Sequence, residues 1–170
     1  MRPPRALLPP ERKMTPTAKT FRLEIFLIAL AAIVMEISMT RIFSFKLYYY
    51  FTYLILGIAM LGLGAGGVFV AIFPKLRDRE PVRLVAQCCL IGAALIPVSY
   101  LAIALIQISV VDLTTNVFEL FKLFLICTSL FSPFLIVGII LATIFGNRPE
   151  DMNRLYFADL VGAGIGCAVL

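Results

Sequence analysis

The chain has 170 residues, 61% of them hydrophobic and 15% charged, with a net charge of +5 and a mean hydropathy of +1.00. Soluble domains are about half apolar and about a quarter charged, so this chain has too few polar residues to cover a water-facing surface. A complete soluble enzyme is excluded on that ground, and lipid must be the solvent for much of the molecule.

The excess of basic residues does not point to nucleic acid. A nucleic-acid site needs a basic face on a folded domain, whereas six of the fifteen basic residues here lie in the first 22 positions and the others sit between apolar runs. Histidine is absent, which excludes imidazole as a general acid or base and removes the commonest haem ligand. Cys88, Cys89, Cys127 and Cys167 all lie inside apolar runs with no CxxC pattern, so they read as small packing residues and no metal site is expected.

Residues 1–20 are proline-rich and basic and read as a flexible cytoplasmic arm ahead of a transmembrane helical domain at 21–170. The first apolar run, about 23–43, is too long for a secretory signal and reads as a retained helix carrying Glu36 and, near its end, Arg41. The second, 47–74, contains no charge, and neither does the third, 84–111, with Pro97 near its middle. The fourth, 120–147, is uncharged from Leu123 onward and contains Pro133. Each matches or exceeds the roughly 20 residues that a helix needs to cross hydrocarbon. The fifth, 155–170, covers only about 24 Å at the helical rise of about 1.5 Å per residue, so the chain stops inside a helix: either the natural protein continues or this is a truncated version of something larger. The fold class is therefore all-α, a polytopic bundle of about five membrane helices.

Orientation follows from the basic residues. With the N-terminus in the cytoplasm, twelve basic residues lie inside: five in the arm and Arg22 just beyond it, four between helices two and three, and two between helices four and five. Arg41, Lys46 and Lys122 lie on the other side. That asymmetry is the positive-inside pattern and suits a multi-pass protein of the inner (plasma) membrane. Phe43, Phe45, Tyr48, Tyr49, Tyr50, Phe51 and Tyr53 read as an aromatic belt at the outer headgroups.

Gly62, Gly64 and Gly67 form a formal GxGxxG, but they lie deep in an uncharged run, where no nucleotide-binding strand and loop can precede them. Gly62 and Gly66, and likewise Gly162 and Gly166, form GxxxG pairs that read as helix-packing faces. Glu36 and Asp159 are ionisable groups inside apolar helices, where such groups are costly and mark candidate functional sites. By the helical rise they stand about 20 Å and about 7 Å from the cytoplasmic face, too far apart to touch. Arg41 is five positions, about 140° around the helix, from Glu36, so it makes a poor partner and is expected to snorkel to the interface.

Three stretches together resemble a known family. Met35-Glu36-Ile37-Ser38-Met39-Thr40-Arg41, the glycine-rich stretch at 57–67, and Leu155-Tyr156-Phe157-Ala158-Asp159-Leu160-Val161-Gly162-Ala163-Gly164-Ile165-Gly166 are similar, in that order, to the membrane half of spermidine synthase-like integral membrane proteins. The resemblance covers about 21–170 and implies Glu36, Arg41, Asp159, Gly162 and Gly166 as signature residues of that half. In the family a soluble aminopropyltransferase-like domain follows, and no part of it is present in these 170 residues. No catalytic residue, cofactor or enzymatic activity is therefore expected of this chain alone. The expected partners are the lipid bilayer, other membrane subunits or a second copy, and a small cationic solute such as a polyamine. An accessory subunit of a larger membrane complex is the alternative.

Overall fold

In the computed structural model, residues 18–47, 51–73, 81–106, 108, 116–147 and 149–170 are described. The proline-rich arm at 1–17 and the tyrosines at 48–50 lie outside them. Five helices follow one another: α1 (Ala18–Leu47), α2 (Phe51–Ile72), α3 (Pro81–Leu105), α4 (Val117–Asn147) and α5 (Met152–Val169), with a 3-10 turn at Pro149–Asp151 leading into α5. Among the described residues four helices are long and apolar enough to cross a membrane, over Phe21–Phe45, Phe51–Ile72, Pro81–Leu105 and Val117–Asn147. The chain is an all-α helical bundle with the character of a multi-pass membrane protein. The fifth helix is not among those four, because Asn153, Arg154 and Asp159 interrupt its apolar character.

Helix ends depart from the ends of the apolar runs, because a helix continues wherever its polar residues find partners or water. α1 runs 30 residues, from Ala18 rather than 23 to Leu47 rather than 43. At about 1.5 Å per residue that is about 45 Å, enough to cross the hydrocarbon and both headgroup layers. α4 starts at Val117, and its first turns are held by Glu119, which receives a 2.7 Å hydrogen bond from Lys122. Pro81 opens α3 at the first helical position, where its missing N–H costs nothing. α3 stops at Leu105, short of the expected 111, and Ile106 N–H still bonds to Ala102 O at 3.1 Å.

Packing settles the order of the bundle. One core cluster joins Met35, Met39 and Phe43 of α1, Ile55 and Ala59 of α2, Ile103 of α3, and Ile126, Leu130 and Phe134 of α4. A second joins Phe21 and Ile25 of α1, Val85 of α3, Ile140 and Ile144 of α4, and Leu155 of α5. The first cluster uses the end of α1, the start of α2, the end of α3 and the start of α4. The second uses the opposite ends, so successive helices alternate in direction. α2 and α4 therefore run parallel and form the most extensive pair, followed by α1 with α5 and then α3 against α4. Phe43 is 1% exposed and belongs to the first core, whereas Phe45 is 96% exposed. A belt position and a core position thus sit two residues apart on one helix.

α4 is the hub. It buries nine of its 31 residues, whereas α3 buries four of 25.

Candidate functional site

The glycines explain how the parallel pairs approach so closely. On α2, a side-chain carbon at Gly66 would fall 2.6 Å from Ile139 N and Leu135 O of α4. At Gly62 it would fall 2.7 Å from Phe134 Cβ. In return, Gly138 of α4 lies against the backbone carbonyl of Leu63. Each helix thus presents a bare backbone patch to the other. On α5, Gly162 lies against the carbonyl of Phe26, with Ala29 beside it, and a carbon at Gly166 would meet Leu30 O at 3.2 Å and Ile33 Cβ at 3.3 Å. The two GxxxG faces therefore do not meet each other: Gly62 and Gly66 seat α4, and Gly162 and Gly166 seat α1. Gly57, Gly64, Gly67 and Gly164 have open space beside them.

The α1–α5 pair of helices carries both intramembrane acids named from the sequence, Glu36 on α1 and Asp159 on α5. Leu155, Asp159, Gly162 and Gly166 recur at intervals of four, three and four, which places them on one stripe of α5. Leu155, Gly162 and Gly166 are buried along that stripe and Asp159 is half-buried within it. Glu36 is half-buried on α1, one position after Met35 of the first core. Gly162 opposes Phe26; Asp159 is three residues before Gly162, and Glu36 is ten residues after Phe26. The two carboxylates are thus separated by about 20 Å along the parallel helices at about 1.5 Å per residue. The structure does not bring them together.

Among the described residues neither carboxylate takes part in an ion pair or a side-chain hydrogen bond; the salt bridge found there joins Lys122 and Glu119 at 2.7 Å. Arg41 is exposed and does not turn to Glu36. Its guanidinium donates a 2.9 Å hydrogen bond to Leu170 O, tying the end of α1 to the end of α5. Half-buried carboxylates in apolar surroundings are costly unless protonated or met by a cation. That is the chemistry this seam offers. The described residues contain no group of three His, Cys, Asp or Glu side chains placed to hold a metal.

Two features escaped the sequence reading. Glu24 lies inside the apolar span of α1, half-buried and within electrostatic reach of Cys89 on α3. Ser99 is fully buried on α3, and its hydroxyl lies 2.6 Å from Ser129 O of α4 and 2.9 Å from Leu95 O of its own helix. Pro133 is the cause. Proline has no N–H to give the carbonyl four residues back, which is that of Ser129. In hydrocarbon the freed carbonyl must find another donor. Ser99 supplies one across the helix interface, and Ser132 a second from within α4 at 2.9 Å. The offset of four from a membrane proline was the signal that could have pointed to Ser129. Nothing local pointed to Ser99.

Compared with protein-family models, with curated proteins and with solved structures, the chain matches none.

Proposed function

We propose that the chain is the membrane module of a spermidine synthase-like protein, which binds or moves a small cationic solute such as a polyamine. In this reading it sits in the inner (plasma) membrane with its N-terminus in the cytoplasm, following the positive-inside asymmetry of its basic residues. The observation that carries the proposal is the pair of half-buried carboxylates, Glu36 and Asp159, that no cationic side chain meets among the described residues. A separation of about 20 Å, from the helical rise of about 1.5 Å, rules out one compact ion held by both. It suits an elongated polycation, or two successive stations along the α1–α5 seam. The sequence resemblance at 35–41, 57–67 and 155–166 supplies the family and the polyamine.

Equilibrium binding of spermidine to the purified chain in detergent tests this. Glu36→Gln and Asp159→Asn are each expected to weaken binding about tenfold, the loss of one charge-assisted contact. Unchanged affinity in both variants would reject the proposal.

A second reading, an accessory subunit of a larger membrane complex, rests on α3. Leu90 and Leu105 are each 76% exposed on a helix that buries little against its own chain. The GxxxG pairs lend it no support, since both are consumed inside the chain. Gentle detergent extraction followed by mass measurement separates the two readings: a subunit leaves the membrane with fixed partners, and a self-contained module leaves without them.

A further inference from the structure

We propose that the α1–α5 seam, at the end where α5 begins, is a binding site for an anionic phospholipid. A groove of about 500 Å³ opens there, within the range of roughly 300–1,000 Å³ typical of ligand clefts. Arg22 of α1 and Asn153 and Arg154 of α5 stand along it, and Phe26, Phe157 and Val161 form its apolar wall. The polar residues come first along both helices. Arg22 is the second residue of the apolar span of α1, and Arg154 is the third residue of α5. The apolar residues follow toward the membrane interior. A groove with a cationic mouth and an apolar shaft fits one phospholipid: headgroup phosphate at the arginines, acyl chain along the phenylalanines.

A second observation calls for that ligand. The Nε of Arg22 is buried and has no hydrogen-bond partner. Guanidinium is always charged, and each N–H withdrawn from water needs an acceptor. No ion pair joins either arginine to a carboxylate among the described residues. Asp159 does not fill the role: it lies one position, about 100° around the helix, past the groove residue Ala158. A phosphate offers several acceptor oxygens to a bidentate guanidinium fork, which a zwitterionic headgroup with its own ammonium offers less freely. The positive-inside orientation puts this mouth in the cytoplasmic leaflet, where anionic lipid is concentrated.

Native mass spectrometry of the full chain in detergent, titrated with phosphatidylglycerol or phosphatidylcholine of identical acyl chains, tests the site. Phosphatidylglycerol is expected to bind at least tenfold more tightly. Arg22→Gln and Arg154→Gln should each weaken it about fivefold and together about 25-fold, the scale of one basic residue per phosphate contact, while phosphatidylcholine binding stays constant. Val161→Trp keeps both arginines but fills the shaft. It should also release the lipid, and it decides the matter if the arginine variants do not fold by circular dichroism. Equal binding of the two lipids, or phosphatidylglycerol binding unmoved by Val161→Trp, would overturn the proposal. So would full displacement by inorganic phosphate at millimolar concentration, which would mean that the mouth reads phosphate alone. Glu36→Gln, about 20 Å along the seam from Asp159, should leave lipid binding intact while it weakens spermidine binding, so the fate of this site is separable from the polyamine reading.

Discussion

The bond between Ser99 and Ser129 gives the sharpest test of how this bundle holds its broken helix. Ser129 O receives two hydroxyl donors, Ser99 Oγ at 2.6 Å and Ser132 Oγ at 2.9 Å, because Pro133 cannot donate to it. Ser99→Ala removes the shorter, interhelical bond but leaves the carbonyl one donor. The cost should be about 0.6–1.5 kcal/mol, between the average and the upper end for side-chain bonds between membrane helices. Removing Ser132 as well strands a carbonyl in a dry interior, and the pair should cost about 1–3 kcal/mol more than an additive sum of two weak bonds would suggest. The decisive arm is Pro133→Ala. It restores an N–H to the Ser129 carbonyl, so Ser99→Ala made in that background should cost less by about 0.5–1 kcal/mol. Unfolding in mixed micelles titrated with sodium dodecyl sulfate, followed by far-ultraviolet circular dichroism, measures all four corners of the cycle. If Ser99→Ala costs the same with and without Pro133, the hydroxyl does not compensate for the proline and the explanation fails.

Other outcomes follow from the same geometry. Gly66→Ala should destabilise the bundle by about 1–3 kcal/mol, because its new carbon would sit 2.6 Å from backbone atoms of α4 that cannot move aside. Gly57→Ala and Gly64→Ala point into open space and should stay within about 0.5 kcal/mol of wild type; a cost at Gly57 equal to that at Gly66 would contradict the observed seam. Gly166→Ala should fall between them, since part of what it meets is the Ile33 side chain at 3.3–3.4 Å, which can shift by a few tenths of an ångström. Lys122→Ala loses the Glu119 pair and the approach to the Phe118 ring at 5.1 Å. It should cost about 0.3–1 kcal/mol, with the ion-pair share shrinking in high salt as thermal or detergent unfolding is repeated across ionic strengths. Arg41→Gln should speed amide hydrogen exchange in the last turn of α5 while leaving total helicity unchanged, because it unties Leu170 O without touching either core.

The existence of four helices long and apolar enough to cross a membrane was legible in the sequence. An uncharged run of 20 or more residues states its own preference for hydrocarbon, and that preference is local. Even so, α1 and α4 outrun their apolar stretches, and in α4 the added turn is held by the pair of Lys122 and Glu119. The candidate acids were legible as well, because one carboxylate in such a run stands out whatever surrounds it. What each helix touches was not. In a water-soluble helix the buried face announces itself by contrast with a polar one, but lipid tails are as apolar as leucine and that contrast vanishes. Hence Phe43 in the core and Phe45 in the open look alike in sequence, and so do Gly66 against α4 and Gly64 against nothing. Only the folded arrangement decided that Asp159 shares a stripe with the glycines that seat α1, and that Arg41 reaches Leu170 across 129 residues of chain. It likewise decided that a buried serine 30 residues away serves the carbonyl that Pro133 abandons. Solvent choice is a property of each segment alone, whereas register between segments depends on which backbone can approach which, and that is determined by the whole bundle at once.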